Sequence, residues 1–408
     1  MPLPGVSILS LHYPPEPTGN APYAGSLSKG LHALGHRVDV TTTHPHYPEW
    51  KIRAGYGQWS RTEVVAGLRV RRLRHYVPSP PRGFKRLASE LSFGVRLFFA
   101  RTEGAVIICV SPSLFASALA AFRNKFRLRR RPLIVWVQDI YTLGLAETGQ
   151  GNRLASTVTR GVESWTLREA DQVVVVHQRF ADWVANNLGV DRQRITVVRN
   201  WTHLPPAEAT DRDAARDALG WPTDRTVAVH AGNMGAKQGL ENVVEAARLA
   251  DSQGANVLFI LLGNGSERAH LQSIAAGIER LRFVDSLEDR EFRLALAAAD
   301  VLLVNEKPGV SGMAVPSKLT SYFDAARPVV AATDVQGITA DEVRNAGAGL
   351  VVEAGRPEDL LNAVFAIGSE PSLAGSLGAS GRAYRERVLD INAAWAAWSR
   401  AVSNLLSA

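Results

Sequence analysis

Residues 305–331 read NEKPGVSGMAVPSKLTSYFDAARPVVA, and this stretch decides how the second half of the chain is interpreted. It follows an apolar strand at 300–304 and ends in another apolar strand. Between them the pattern predicts a polar loop and then a helix that starts near Pro316, because proline in the first helical turn loses no intrahelical hydrogen bond. The backbone N–H groups of Ser317 and Lys318, with the Lys318 ammonium, are suited to a phosphate or diphosphate. The alternative is an ordinary strand–helix unit with a solvated lysine.

A chain of 408 residues is too long for one ordinary hydrophobic core, so we expect two domains. Its 46% hydrophobic and 21% charged residues are typical of a soluble globular protein. No apolar run reaches the length of a membrane-spanning helix, and the N-terminus lacks the features of a signal peptide. Cys109 is the only cysteine, which excludes intramolecular disulfides and a cysteine-ligated metal. We therefore expect a cytoplasmic protein.

The net charge is +7, and basic residues form two clusters. One cluster comprises Arg71, Arg72, Arg74, Arg82, Lys85, Arg86, Arg96 and Arg101, and the other comprises Arg123, Lys125, Arg127, Arg129, Arg130 and Arg131. No nucleic-acid-binding motif accompanies them, so we expect no nucleic-acid partner. In residues 82–101 the charges interleave with aromatic side chains, which favours contact with an anionic membrane surface, here the inner face of the plasma membrane. The alternative is a core helix with a solvated basic face.

The first half of the chain alternates apolar strands with helical patterns, beginning with a strand at 6–11 and a loop that contains Gly19 and Asn20. Strands that are apolar throughout are typical of a parallel sheet covered on both faces. Open α/β sheets bind ligands at the carboxyl ends of their strands. Asp139 and Asn200 follow predicted strands and are expected at such ends.

Two histidines, His44 and His46, lie in a loop rich in aromatic and hydrogen-bonding residues, 44–50. Their spacing suggests a metal pair, but the sequence shows no convergent third ligand. A polar binding loop is the preferred interpretation, and we expect no metal ligand.

The strand–loop–helix pattern is interrupted by a linker at 204–224 and restarts with a strand at 226–231. The glycines that follow have GxxGxxxG spacing in residues 232–239, which differs from the GxGxxG dinucleotide fingerprint. Backbone N–H groups of this loop, together with Lys237, are nonetheless suited to an anion. A second close-approach turn and the next strand end supply three more candidates, Gly263, Asn264 and Val284.

The last predicted helix, 390–408, has an apolar stripe that includes Trp395 and Trp398. Such a stripe needs to be covered, and we expect this helix to return to the first domain. The predicted domains are residues 1–203 with 390–408, and residues 207–380.

Taken in order, several segments resemble the retaining, family-4 type glycosyltransferases of the GT-B fold, and most closely those of colanic-acid, exopolysaccharide and O-antigen assembly. The segments are PPEPTGNAPYAGSLSKGLHALGHRVDVTTTHPHYPEWK (14–51), WVQDIY (136–141), VVRNW (197–201), AGNMGAKQGLENVVEAA (231–247), LLGNGS (261–266) and VPSKLTSYFDAARPVVA (315–331). The resemblance implies an α/β protein with two Rossmann-like parallel-sheet domains that face each other across a cleft.

The resemblance also implies a function for each domain. The C-terminal domain would bind a nucleoside diphosphate sugar, and the N-terminal domain a glycan or lipid-linked acceptor. Transfer would need no metal and no cofactor, and the sugar would retain its anomeric configuration. The family's functional residues fall on Gly19 and Asn20 in a loop facing the diphosphate, on Asp139 at the catalytic or acceptor-contacting position, on Asn200, and on Gly232 and Gly239 at the two ends of the phosphate loop.

This sequence departs from the family in the phosphate loop, where Asn233 replaces the usual arginine and Gln238 the usual lysine. The family's paired glutamates, one contacting the sugar and one the ribose, fall on Met313 and Ser321, and neither is acidic. We expect Lys318 to supply the missing positive charge, because the leaving diphosphate is anionic. The candidate catalytic residues are Asp139 and Lys318, and the candidate substrate-binding residues are Gly19, Asn20, Asn200, Gly232, Asn233, Lys237, Gly263, Asn264, Val284, Pro316, Ser317 and Ser321.

Other functions remain open on the same fold. A nucleotide-sugar epimerase would convert its substrate without an acceptor, and a phosphorylase would need a pyridoxal lysine motif, which we do not find. A catalytically silent sugar-nucleotide-binding subunit is suggested by the missing glutamates and would bind without transfer.

Overall fold

The computed structural model describes residues 3–17, 19–79, 84–148, 153–201, 210–309 and 317–407. Three residues named above, Arg82, Met313 and Pro316, lie outside the described residues. The chain divides into two compact units, one formed by Met1–His203 with Ile391–Ala408 and the other by Leu204–Asp390. Each unit is built on its own sheet.

The sheet of the first unit has eight strands within the described residues. They are β1 (Val6–Ser10), β2 (Val38–Thr43), β3 (Ser60–Val65), β4 (Leu68–Leu73), β5 (Val106–Val110), β6 (Leu133–Val137), β7 (Gln172–Val175) and β8 (Ile195–Val197). The order is β3-β4-β2-β1-β5-β6-β7-β8, and every neighbouring pair is parallel except β3 with β4. The strands β1, β5 and β6 are buried at every position, which explains why β5 and β6 are apolar throughout and why β1 has only small serines beside its apolar residues.

The antiparallel hairpin β3–β4 is absent from the sequence predictions. Along β3 the side chains alternate between exposed and partly buried, and both strands carry charged residues. The pattern is therefore unlike that of the strands buried on both faces. Ala66 and Gly67 form the turn with φ angles of 50° and 80°, as a two-residue hairpin turn with both central residues at positive φ requires.

Six α-helices that precede the second unit accompany this sheet within the described residues. They are α1 (Ala21–Ala33), α2 (Phe84–Phe99), α3 (Leu114–Lys125), α4 (Tyr141–Thr148), α5 (Arg153–Glu169) and α6 (Gln178–Leu188). The predicted basic span 82–101 is thus largely helix α2. One face of α2 is core, since Phe93 and Leu97 are buried, while Val95 and Phe99 on other faces are exposed.

The second unit is built on a six-stranded, entirely parallel sheet. Its strands are β9 (Thr226–Ala231), β10 (Val257–Leu262), β11 (Leu281–Val284), β12 (Val301–Asn305), β13 (Val329–Thr333) and β14 (Gly349–Glu353), in the order β11-β10-β9-β12-β13-β14. Its helices are α7 (Arg212–Leu219), α8 (Glu241–Ser252), α9 (Arg268–Ile274), α10 (Asp289–Ala298), α11 (Lys318–Asp324), α12 (Ile338–Ala346), α13 (Pro357–Gly368) and α14 (Pro371–Val388). Separate apolar clusters cover the two faces of the sheet.

The last helix, α15 (Ile391–Ser407), returns to the first unit. Trp398 is fully buried against Trp136 of β6, with the ring centroids 5.0 Å apart. Trp395 lies so close to Gly30 of α1 that a Cβ atom on this glycine would be 2.2 Å from its ring. The apolar stripe recognised in the sequence is therefore covered by α1 and by the core of the first sheet.

Both sheets reverse their strand order beside the first strand of the unit, between β1 and β5 and between β9 and β12. Ligands of open α/β sheets bind at the carboxyl ends of the strands near such a reversal. The prediction of two α/β domains with mainly parallel sheets is confirmed. Across the described residues, no helix combines the length and the apolar character needed to cross a membrane.

Candidate functional site

The glycine turns that follow β9 and β10 lie against each other in the second unit. Gly232 and Gly263 have φ angles of 132° and 129°, a region that favours glycine. A Cβ atom on Gly263 would lie 2.1 Å from the carbonyl oxygen of Gly232, so a side chain does not fit there. The N–H of Met234 donates to the carbonyl of Asn264 at 2.8 Å, and the N–H of Gly263 donates to the carbonyl of Val284 at 3.0 Å. The structure therefore brings together four of the predicted binding residues, Gly232, Gly263, Asn264 and Val284.

Lys318 reaches the same place from the start of α11. Its ammonium nitrogen lies 3.3 Å from Nε2 of His230, near the end of β9, and 3.8 Å from the position that a Cβ atom would occupy on Gly232. Burial and then the charge of Lys318 lower the pKa of His230, so its ring is neutral. Burial also lowers the pKa of Lys318 to about 8, although the charge of Glu306 opposes this. A cation is therefore held beside the glycine turn with a neutral imidazole as a hydrogen-bond partner.

The contacts of α11 explain how Lys318 is placed. This helix begins at Lys318 and has only seven residues, and the predicted start near Pro316 lies outside the described residues. The hydroxyl of Tyr322 accepts a hydrogen bond from the N–H of Ala231 at 2.9 Å, which fixes the helix to the end of β9. Ser321 is buried beside it, and Ser317 is exposed just before the helix. Packing on the strand, rather than the dipole of a long helix, positions the lysine.

Asn305, at the end of β12, holds the glycine loop and was not recognised in the sequence. Its Nδ2 donates to the carbonyls of Gln238 and Gly239 at 2.7 and 2.8 Å, and its Oδ1 accepts from Asn242 at 2.8 Å. A buried polar residue at the carboxyl end of an apolar strand was the available signal. His230, a polar residue near the end of β9, carried the same signal.

The unusual residues of the glycine loop have different surroundings. The side-chain oxygen of Gln238 accepts from the N–H of Gly235 at 3.1 Å. Gln238 therefore stabilises the glycine loop by a hydrogen bond and supplies no positive charge in place of the usual lysine. Asn233 is exposed, and its Nδ2 lies 2.8 Å from the position of a Cβ atom on Gly235. Lys237 is exposed, and its carbonyl accepts from the N–H of Lys307 at 2.8 Å. The predicted Asn233 and Lys237 thus lie at the surface of the loop.

In the first unit, predicted residues meet at the ends of β1, β5 and β6. Nδ2 of Asn20 donates to the carbonyl of Ser111 at 2.6 Å, and the hydroxyl of Ser111 donates to the carbonyl of Asp139 at 3.3 Å. Gly19 has a φ of 67°, and a Cβ atom there would lie 3.6 Å from the ring of Tyr47. The structure therefore brings Gly19, Asn20 and Asp139 to one edge of the sheet.

Asn200 joins the same edge from the end of β8. Its Nδ2 donates to Oε1 of Gln138 at 2.9 Å. The remaining amide atoms, Oδ1 of Asn200 and Nε2 of Gln138, are buried and have no hydrogen-bond partner among the described residues. Buried amides with free donor and acceptor atoms are suited to a polar ligand, since buried polar groups are normally paired.

A buried carboxylate, Glu16, collects the polar groups of the loops after β1 and β2. Oε2 lies 2.7 Å from Nδ1 of His12, and Oε1 lies 3.2 Å from Nδ1 of His46 and accepts from the N–H groups of His46 and Tyr47 at 2.8 and 3.0 Å. Burial opposes ionisation, but the hydrogen bonds and charges of the two histidines lower the pKa of Glu16 below its usual range. The sequence shows no third ligand for His44 and His46, but the structure brings two further side chains to His46. The convergent residues are His12 and Glu16, while Nε2 of His44 lies 2.8 Å from the carbonyl of Gln58.

Two further buried glutamates surround the start of α4. Glu163 accepts from the N–H groups of Tyr141 and Thr142 at 2.8 and 3.0 Å, which caps this helix. Glu90 of α2 accepts from the hydroxyl of Tyr141 at 3.3 Å. Burial raises the pKa of Glu90 to about 7, although the charge of Arg86 opposes this.

Comparison with known families identifies both units. Residues 18–201 match the family model for the glycosyl transferase 4-like domain, and residues 225–369 match that for glycosyl transferases group 1. The chain is 31% identical over 334 residues to the putative colanic acid biosynthesis glycosyl transferase WcaI of Escherichia coli (strain K12), covering 78% of this chain and 80% of that protein. It is 24% identical over 255 residues to the probable glycosyltransferase WbjE of Pseudomonas aeruginosa, covering 61% and 62% of the two chains.

Solved structures with the same fold match nearly the whole chain. Sucrose-phosphate synthase from Thermosynechococcus elongatus superposes with a TM-score of 0.76 at 17% identity, covering 99% of each chain. The Anabaena protein Alr3699/HepE in complex with UDP superposes with a TM-score of 0.71 at 16% identity, covering 98% of this chain and 100% of that one. WaaG, a glycosyltransferase of lipopolysaccharide biosynthesis, gives a TM-score of 0.68 at 15% identity, covering 98% and 99%.

Proposed function

Because the chain belongs to the glycosyltransferases with a 4-like domain followed by a group 1 domain, we propose that it moves a sugar from a nucleoside diphosphate sugar to a saccharide or lipid-linked glycan acceptor. The fold is the two-domain GT-B fold. The E. coli relative is described as a colanic acid enzyme, and HepE was crystallised with UDP and with UDP-glucose. These names support a nucleotide-sugar donor and a role in cell-surface polysaccharide assembly.

The observation that carries the proposal is the ammonium of Lys318 beside Gly232, 3.3 Å from the buried, neutral His230. A departing nucleoside diphosphate gains negative charge on its leaving oxygen as the anomeric bond breaks. A fixed cation and backbone N–H groups in a partly buried site stabilise this charge more in the transition state than in the bound donor. Lys318 therefore takes the place of the arginine and lysine that are absent at Asn233 and Gln238.

We assign the donor to the second unit and the acceptor to the first. The donor contacts are the backbone of Gly232 and Gly263 with Lys318, and Ser321 lies on the same helix as this lysine. For the acceptor, the unpaired amide atoms of Gln138 and Asn200 offer one donor and one acceptor to a sugar hydroxyl. Asp139, at the same sheet edge, is the candidate for contact with the attacking hydroxyl. Transfer with retention of configuration is part of this proposal.

The experiment follows nucleoside diphosphate release from a panel of UDP- and GDP-sugars, with and without lipid-linked or free saccharide acceptors. We expect release that requires both one donor and an acceptor, and a product whose anomeric configuration, read by NMR, equals that of the donor. Conversion of the donor sugar without an acceptor would indicate an epimerase. A rise in unfolding temperature with a nucleotide sugar but no turnover would indicate a silent binding subunit.

We also propose that the first unit binds an anionic membrane surface through a corner formed by the ends of α2 and α3. Arg131 donates to the carbonyl of Thr102 at 2.7 Å, and Arg123 donates to that of Leu97 at 3.0 Å, so the two helix ends are adjacent. This corner exposes Phe99, Phe126 and Leu128, at 78%, 70% and 108% of their reference areas, together with the basic Arg101, Arg129 and Arg130. Exposed aromatic side chains among basic residues are typical of interfacial binding.

The membrane proposal is tested by co-sedimentation with vesicles. Binding is expected to require phosphatidylglycerol, to fall with salt, and to be absent from neutral phosphatidylcholine vesicles, because the attraction is screened within about 8 Å at physiological ionic strength. Equal binding to both vesicle types would contradict it.

A further inference from the structure

His12, Glu16 and His46 offer three ligand atoms, two imidazole nitrogens and a carboxylate oxygen, that all lie within 4.8 Å of one another. The first two residues follow β1 and the third follows β2, and these strands are parallel neighbours, so their loops meet at the same sheet edge. We propose that these three side chains bind a divalent transition-metal ion of the zinc class. The site lies in the first unit and does not depend on the proposed transfer reaction.

The distances between the three ligand atoms can be compared with those around a bound zinc ion. Nitrogen and oxygen ligands bind zinc at about 2.0–2.2 Å in a tetrahedral arrangement, which places neighbouring ligand atoms roughly 3.3–3.6 Å apart. Here Nδ1 of His12 lies 2.7 Å from Oε2 of Glu16, and Nδ1 of His46 lies 3.2 Å from Oε1 of the same carboxylate. The three ligand atoms lie within 4.8 Å of one another, so binding one ion requires the farthest pair to approach by roughly 1 Å. The side chain of His12 is 16% exposed, which gives the ion a path from solvent.

A fourth residue independently indicates a missing partner at this place. His75 is 7% exposed, its ring centroid lies 4.7 Å from that of His46, and neither of its nitrogens has a hydrogen-bond partner among the described residues. Nε2 of His46 is also buried without a partner there. Buried polar groups without partners are rare in native proteins and often mark an ion or an ordered water. A three-residue zinc site keeps a water as its fourth ligand, and a water is the kind of partner that the nearby His75 lacks.

The choice of ligands favours zinc, cobalt or nickel over magnesium and calcium. Imidazole nitrogen binds the borderline transition metals strongly, whereas magnesium and calcium prefer sites made of oxygen. Two of the three ligands here are imidazoles. Zinc is the expected occupant in a cell because it accepts a four-coordinate mixed nitrogen and oxygen site.

The position of the site indicates what the ion does. Glu16 also accepts from the backbone N–H of Tyr47, and the ring of Tyr47 lies under Gly19. A metal at Glu16 therefore ties the loop after β2 to the glycine loop after β1. The role is to position these loops, and it is separate from the cation that Lys318 supplies in the second unit.

The experiment uses the full chain stripped with a chelator and then titrated with Zn²⁺ or Co²⁺. We expect one ion per chain by metal analysis after gel filtration, a visible Co²⁺ spectrum of tetrahedral type, and a higher unfolding temperature with Zn²⁺. His12→Ala and Glu16→Gln should weaken Zn²⁺ binding by at least about 100-fold, because loss of a direct ligand exceeds the loss caused by its supporting partners. His32→Ala, at an exposed histidine of α1, is the matched control and should bind like the native protein.

Several outcomes would overturn the proposal. Native protein that retains no Zn²⁺ through gel filtration, or an octahedral Co²⁺ spectrum, would exclude the site. Equal weakening by His32→Ala would show adsorption to surface histidines. Unfolding temperatures of the metal-free variants identify any that fail to fold, and Glu16→Gln retains the size and shape of the native side chain in case His12→Ala does not fold. Metal content is read without any sugar transfer, so failure of the transferase assay would leave this result unaffected.

Discussion

Replacing Lys318 with methionine removes the proposed diphosphate cation while keeping a side chain of similar length. The ammonium lies beside Gly232, where the leaving group is expected, and its imidazole neighbour His230 is neutral. An ammonium about 4 Å from a phosphate oxygen interacts by about 4 kcal/mol at an effective dielectric constant of roughly 20. Removing one charge-stabilising donor typically costs about 2.7–4 kcal/mol of transition-state stabilisation. We therefore expect kcat/KM for transfer to fall by about 100- to 1000-fold in Lys318→Met.

The same substitution should stabilise the protein in the absence of donor. Burial lowers the pKa of Lys318 from the ordinary 10.5 to about 8, so the folded state disfavours the charged form. At roughly 1.4 kcal/mol for each tenfold change in proton affinity, this lowering corresponds to about 3 kcal/mol as an upper limit. The penalty is fully present below pH 8 and disappears as the pH rises toward 10.5. Native protein should gain stability over that interval, and Lys318→Met should not.

The assay combines steady-state transfer on one donor with denaturant unfolding of the donor-free protein at pH 7 and pH 10. Lys237→Met is the control, because Lys237 is exposed on the neighbouring loop. It should reduce kcat/KM by less than about tenfold, the range of a screened surface charge. Near-native transfer by Lys318→Met, or a larger loss in Lys237→Met, would refute the assignment of the cation.

Three further predictions concern a buried carboxyl group, a pair of backbone positions with positive φ, and the exposed apolar corner of the first unit. Glu90→Gln should raise the free energy of unfolding above pH 7 by up to about 3 kcal/mol and have little effect below pH 4.5. Burial raises the pKa of Glu90 to about 7, so the protonated form favoured in the folded state is lost as the pH rises from 4.5 to 7. Identical pH profiles of the two proteins in urea unfolding would exclude this. Ala326→Gly should stabilise the folded protein by about 1 kcal/mol, since Ala326 has a φ of 53° after α11. Gly347→Ala, at a φ of 56° after α12, should destabilise it by a similar amount. The unfolding temperatures of the two variants should therefore shift in opposite directions. Phe126→Ser with Leu128→Ser should weaken binding to phosphatidylglycerol vesicles at least about tenfold, the loss expected from burying less apolar area; unchanged co-sedimentation would place the membrane contact elsewhere.

The parts of the fold that could be predicted from sequence are those fixed by local burial. Strands such as β5 and β6 are buried at every position and every side chain is apolar, so the pattern is unambiguous. The glycosyltransferase family and the α/β fold were also predicted, and both are confirmed. The hairpin β3–β4 was missed because it lies at the edge of its sheet, where alternating and charged side chains are compatible with a strand.

A site residue could be predicted from the sequence only where the residues next to it in the chain indicate its role. Lys318 follows from the motif around it, and the structure places it beside the predicted Gly232. His230 and Asn305 were missed because their partners lie 88 and 67 residues away and meet them only through the order of β9 and β12. The same reason hid the convergence of His12 and Glu16 with His46. Strand order is a long-range property, and no short window of sequence contains it. The roles of Asp139, Asn200 and the other candidate binding residues stay predictions.

The return of α15 to the first unit makes the second unit an insertion within the first. The segment from residue 204 to 390 is made before α15, and its own helices cover both faces of its sheet. The core of the first unit is completed only after residue 398 has been made, because Trp398 fills the space beside Trp136. The first unit is therefore completed after the second, and until then the uncovered surface around Trp136 is prone to aggregation.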